Sequence, residues 1–215
     1  MDTSRQIARR LLEAGAVKLR PADPFTWASG LRSPIYCDNR VLLSYPEVRN
    51  QVIAAMGEAA GAMSAEISGV AGVATAGIPH GALLADRLDL PFLYIRSKAK
   101  EHGRRNQIEG RLESGKRYLV VEDLVSTGGS SLRAIEALRA AGGEVAGAIA
   151  IFSYEFPAAR RAFAGAEVPL RTLSGYPTLL EEAVAGNYIT AAEAATLAEW
   201  KDDPRAWSEA FLARS

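Results

Sequence analysis

Ile7, Leu11 and Leu12 recur at helical spacing among charged neighbours, which predicts a short amphipathic helix over residues 5–14. The stretch 21–46 is rich in proline, glycine, serine and aromatics and reads as turns and short strands. Ser44 and Glu47 then stand at capping-box spacing, so a helix is expected over 46–63. Beyond it the pattern changes. Apolar runs at 67–73, 91–95, 118–121 and 145–152 alternate with helical stretches at 81–88 and 131–141, and a long basic loop follows residue 95. Strands this apolar are expected where both faces of a sheet are covered. The alternation therefore predicts an α/β fold, a central parallel sheet flanked by helices. Two further capping-box spacings, Thr178 with Glu181 and Thr190 with Glu193, predict a helical tail. The chain divides on this reading into an N-terminal segment (1–45), an α/β core (46–173) and a tail (174–215), with no internal repeat.

Composition narrows the classes. Of 215 residues, 48% are hydrophobic and 23% charged, enough to bury a core. Lys+Arg 25 balance Asp+Glu 25, so any anion site must be built locally and no nucleic-acid partner is expected. The single cysteine, Cys37, cannot close an intramolecular disulfide, which fits a reducing cytoplasm. The opening MDTSRQIARRLLEAGAV has charges throughout and no apolar signal core. No run approaches the length needed to span a bilayer, so neither a secretory nor a membrane class is expected.

The sharpest chemical signal runs from Val120 to Ser131, VVEDLVSTGGSS. An apolar strand leads into two adjacent carboxylates, Glu122 and Asp123. Hydroxyls and two glycines follow, then a helix begins. Glycines let the backbone turn tightly and present N–H groups, and the helix N-terminus adds its positive dipole end. With the Ser126, Thr127 and Ser130 hydroxyls, this forms a cradle for a phosphate monoester. It lacks the Gly-Lys-Ser/Thr of a Walker A loop and the GxGxxG of a dinucleotide turn. Two acids beside a phosphate cradle suit a ribose diol, whose hydroxyls donate to carboxylates. The plain alternative is an acid–serine turn that only caps a helix. The string resembles the phosphoribosyl-pyrophosphate (PRPP) signature of type I phosphoribosyltransferases: hydrophobic pair, acidic pair, hydroxyl and Thr-Gly occur in order.

Three other segments fit that resemblance. Thr75 and Ala76, in GVATAGIP at 72–79, lie at a strand–helix joint where the family's equivalent loop holds pyrophosphate; alone, the segment is an ordinary joint. Arg96, Ser97, Lys98, Lys100, His102, Arg104 and Arg105 fall in one long loop after a strand. It reads either as a solvated surface loop or as a lid bringing Arg96, Lys100 and His102 onto pyrophosphate. Residues 25–40, FTWASGLRSPIYCDNR, resemble the N-terminal hood of orotate phosphoribosyltransferases, with Tyr36 and Cys37 at the positions that face the base. Some members of that family carry cations where this chain has Ala28, Ala76, Ser97 and Tyr154, so Arg32, Lys98 or Arg104 are candidate replacements.

The resemblance implies a hood formed by the N-terminal segment and part of the tail. It also implies transfer of ribose 5-phosphate from PRPP to orotate. In that scheme Glu122 and Asp123 hold the ribose, and residues 124–130 (Leu124, Val125, Ser126, Thr127, Gly128, Gly129 and Ser130) grip the 5′-phosphate. Ser126 also reaches the base. Lys100 and Asp123 are the implied catalytic residues. Mg²⁺ is expected on substrate oxygens with mostly water ligands. A homodimer is implied in which each lid serves the neighbouring site. Rival readings are a transferase for another nucleobase, a PRPP-sensing regulator, and a degenerate α/β protein without turnover. His80 reads as a structural residue that caps a helix or meets solvent, Cys37 as a packed residue or base-site wall, and Trp200 and Trp207 as packing in the tail.

Overall fold

In the computed structural model, residues 2–27, 29–97 and 107–213 are described. The chain opens with helix α1 (Thr3–Glu13), then strands β1 (Val17–Leu19), β2 (Phe25–Thr26), β3 (Arg32–Ser33) and β4 (Ile35–Cys37), and a 3₁₀ turn over Asn39–Ser44. Helix α2 (Pro46–Gly61) leads into β5 (Gly69–Val73), α3 (Gly77–Leu88), β6 (Phe92–Ile95) and β7 (Ile108–Glu109). Next come β8 (Arg117–Val125), α4 (Gly129–Ala140), β9 (Glu144–Ser153), α5 (Pro157–Gly165) and β10 (Leu170–Gly175). Helices α6 (Tyr176–Ala185), α7 (Ala191–Asp202) and α8 (Pro204–Leu212) end the chain. None of the described helices is long and apolar enough to cross a membrane.

The chain forms two compact units, one of residues 46–173 and one of 1–45 with 174–215. In the larger, the sheet order is β10-β9-β8-β5-β6-β7. Strands β6, β5, β8 and β9 run parallel, as the apolar runs predict, and all five residues of β5 are buried. Edge strand β7 departs from that expectation and runs antiparallel to β6. On α4 the buried positions Ser131, Ala134, Ile135 and Leu138 follow the helical period and face the core.

In the smaller unit, Ile7, Leu11 and Leu12 are buried on α1. The α1 residues Arg5 and Arg9 both donate to the buried carboxylate of Glu182 on α6. Trp200 is fully buried, its ring edge-on to Trp27 at 5.7 Å and tilted against Tyr176 at 5.6 Å. Trp207 stacks on Phe211.

Several local expectations need correction. Thr190 and Glu193 do form a capping box on α7. Ser44, however, ends the 3₁₀ turn, and α2 starts with Pro46, whose fixed φ suits a first helical position. Thr178 lies inside α6, which begins two residues earlier and has Pro177 in its first turn. Helix α3 starts at Gly77 rather than 81, because Pro79 is tolerated where the first N–H groups have no intrahelical partner. That start carries His80 inward: it is fully buried and does not meet solvent. Strand β8 outruns its apolar core, since its pairing with β9 continues through Glu122↔Ala150 and Leu124↔Phe152 to Val125↔Ser153.

Candidate functional site

Strand β8 lies between β5 and β9, so its carboxyl end opens where two parallel crossovers meet. Ligands of open α/β sheets bind at such ends. The chain leaves β8 at Val125, passes Ser126 and Thr127, and enters α4 at Gly128 and Gly129. Gly128 holds φ +84°, and a Cβ there would come within 2.9 Å of the Phe163 ring, so both conformation and space demand glycine. No side chain caps α4. Its first N–H groups are therefore left for an anion, flanked by the exposed hydroxyls of Thr127 and Ser130 and the half-buried one of Ser126.

The two acids before the turn occupy different environments. Glu122 is 6% exposed; its Oε2 accepts from Ser131 Oγ at 3.0 Å and its Oε1 from the Asp123 backbone N–H at 3.2 Å. Burial, and next the charge of Asp123, push its pKa to about 8 against the opposing pull of those two hydrogen bonds. Asp123 is half-buried. The pair thus comprises one carboxyl held near neutrality by its surroundings and one more accessible carboxylate.

The second turn follows β5. Gly77 passes so close to the Val121 carbonyl that any Cβ would collide with it, which seats the start of α3 directly against β8 at Val121 and Glu122. Thr75 is exposed, Ala76 is half-buried at the N-cap of α3, and no side chain caps that helix. The Ala74–Thr75 peptide bond is cis.

Arg96 follows β6. Its backbone N–H donates to Gln107 O at 2.8 Å, Gln107 Nε2 returns a bond to Arg96 O at 3.3 Å, and its guanidinium lies 3.7 Å from Glu109. A cavity of about 20 Å³ is lined by Ala74, Arg96, Ser97, Gln107, Ser130 and Arg133, among others. The structure thus brings Arg96 and Ser130 together beside the residue that opens the second turn. Lys100 and His102 lie outside the described residues, as do the other proposed lid cations Lys98 and Arg104 and the hood residue Ala28. Tyr36 and Cys37 sit on β4 in the smaller unit, whereas Ser126 belongs to the larger. Tyr36 is 41% exposed with its ring 5.6 Å from Phe25, and Cys37 Sγ is 3.5 Å from Asn39 Oδ1.

Residues 42–162 match the family model described as the phosphoribosyl transferase domain. The chain is 50% identical over 209 residues to the orotate phosphoribosyltransferase of Listeria innocua, covering 97% of this chain and 100% of that one. The chain belongs to the orotate phosphoribosyltransferase family. Among solved structures, the orotate phosphoribosyltransferase from Aeropyrum pernix superposes with a TM-score of 0.74 at 36% identity, covering 84% of this chain and 99% of that one. Leishmania donovani UMP synthase superposes with a TM-score of 0.79 at 26% identity over 93% of this chain, which spans 42% of that longer protein. The α/β phosphoribosyltransferase fold inferred from the VVEDLVSTGGSS string is therefore the fold of this family.

Two residues at the site escaped the sequence reading. The sequence pattern marks Ser131 only as the start of a helix, whereas in the fold its hydroxyl donates to Glu122 Oε2 at 3.0 Å. Arg133 carries no site signal in the sequence, and only the fold shows that it lines the cavity.

Proposed function

We propose that the protein transfers the ribose 5-phosphate unit of PRPP to a ring nitrogen of orotate, forming orotidine 5′-monophosphate and releasing pyrophosphate. The observation that carries this reading is the βα turn after Glu122–Asp123: an uncapped helix start, a required glycine and two unlike acids, in a chain of this family.

The bond from the anomeric carbon to pyrophosphate breaks, leaving an oxocarbenium-like centre, and a bond to the base nitrogen forms. Catalysis of this kind is mainly positioning and charge stabilisation. Backbone N–H groups and hydroxyls from Leu124 to Ser130 fix the 5′-phosphate. Asp123, the more accessible carboxylate, accepts from the ribose hydroxyls and offsets the positive charge that develops on the sugar. Glu122, locked by Ser131, holds the second acceptor in place. Arg96, with Lys100 and His102 of the lid, takes up the charge that builds on pyrophosphate, and Thr75 and Ala76 present its backbone cradle. Ser126 addresses the base.

Among the described residues no three His, Cys, Asp or Glu side chains cluster as a metal cage. The Glu122–Asp123 carboxylates fit a Mg²⁺ ion carried on substrate oxygens and water, where it would supply neutralising charge to the pyrophosphate. The working form on this reading is a cytoplasmic homodimer in which each lid serves the neighbouring site. The test is direct: protein, Mg²⁺, PRPP and orotate are mixed and the loss of orotate absorbance is followed. Orotate consumption is expected; its failure alongside turnover of adenine or hypoxanthine would overturn the base assignment.

A further inference from the structure

We propose that Arg133 binds the pyrophosphate group of PRPP, supplying the side-chain cation that the turn 74–77 lacks; this rests on the functional reading above. That turn, Ala-Thr-Ala-Gly, offers backbone and one hydroxyl but no charge. A pyrophosphate carries several negative charges, and on the side of this turn only amide dipoles and the Thr75 hydroxyl meet them.

Arg133 is the fifth residue of α4. Side chains on a helix lean toward its N-terminus, and this one runs back over the first turn. Its Nη1 stands 3.4 Å from the point a Cβ on Gly129 would occupy, so the glycine leaves room for the guanidinium against the phosphate-binding turn. From there it lines the same small cavity as Ala74 and Arg96. Among the described residues no carboxylate lines that cavity. Arg96 has Glu109 at 3.7 Å, but Arg133 has no ion pair with any described carboxylate, and it is exposed. Two guanidinium groups facing one cavity repel each other unless an anion lies between them. A planar guanidinium, with its fork of donors, suits phosphate oxygens.

The test compares wild type with Arg133→Gln and Arg133→Lys by titration with Mg²⁺–pyrophosphate, PRPP and orotidine 5′-monophosphate. The glutamine variant should bind pyrophosphate and PRPP about 10- to 100-fold more weakly, the loss of one or two charge-assisted hydrogen bonds. The lysine variant should recover part of that loss. Binding of orotidine 5′-monophosphate, which has the 5′-phosphate but no pyrophosphate, should stay within about twofold, since Arg133 is not assigned to that group. Unchanged pyrophosphate affinity in Arg133→Gln, with wild type binding PRPP normally, would overturn the assignment alone. An equal loss for orotidine 5′-monophosphate would overturn it too, by moving the contact to the 5′-phosphate. Absence of PRPP binding by wild type would overturn the functional reading itself.

Discussion

The Ser131 hydroxyl donates to Glu122 Oε2 at 3.0 Å, tying the first turn of α4 to the last residues of β8. This bond crosses the phosphate-binding turn and connects its two ends. It also lowers the pKa of a carboxyl that burial raises. Ser131→Ala should therefore do two things. Chemical denaturation should show a loss of about 1–2 kcal/mol, because a buried carboxyl loses a partner. The pKa of Glu122 should rise further above about 8, which a carboxyl-resolved NMR titration reads directly.

Glu122 should also shape stability against pH. Its folded-state pKa of about 8 lies above the ordinary 4.5, so between those values the folded chain holds a proton the unfolded chain has released. Stability falls as pH rises across that window, with a slope of up to about 1.4 kcal/mol per pH unit from this group, and levels off above it. Glu122→Gln should remove that slope. Denaturation midpoints for the two proteins at pH 5 and pH 8 provide the check, with the variant gaining on wild type at the higher pH.

Asp123→Asn should lower kcat by about 100-fold or more while leaving the fold intact, because a charge placed against a developing cation acts mainly in the transition state. Removing the Asp123 charge also removes one cause of the raised Glu122 pKa, which should fall toward the ordinary carboxylate range. Steady-state kinetics and the same NMR titration separate the two effects.

Gly128→Ala forces a Cβ onto a residue at φ +84° and into the Phe163 ring. A cost of roughly 1–3 kcal/mol is expected, with a loss of PRPP affinity as the turn shifts. Thermal unfolding with and without PRPP measures both.

Lys100→Ala should cut turnover by orders of magnitude and leave the circular dichroism spectrum and melting temperature unchanged. Unaltered turnover would remove Lys100 from the lid role.

The sequence carried most of the frame. The spacing of Ile7, Leu11 and Leu12 marks α1 because burial on one helix face leaves a period. The buried strands are legible because both faces of a parallel sheet demand apolar residues. What stayed hidden depended on neighbours distant in the chain. That β8 runs through Glu122 and Asp123 follows from its pairing with Ala150 and Phe152 on β9, which no local pattern contains. Ser44 and Thr178 show the spacing of a cap, yet Pro46 and Pro177 mark the helix starts. His80 and Arg133 are both polar residues on helices. One is fully buried and the other lines the cavity, and only the packed direction of each helix tells them apart.

The central claim is that the turn from Ser126 to Ser130 grips the sugar monophosphate through main-chain amides. Backbone ¹⁵N NMR during a titration with Mg²⁺–PRPP tests it most directly. The account predicts that the amide signals of residues 126–130 shift first and most, in step with the binding isotherm. PRPP binding that leaves those amides unmoved, or shifts clustered elsewhere in the chain, would contradict it.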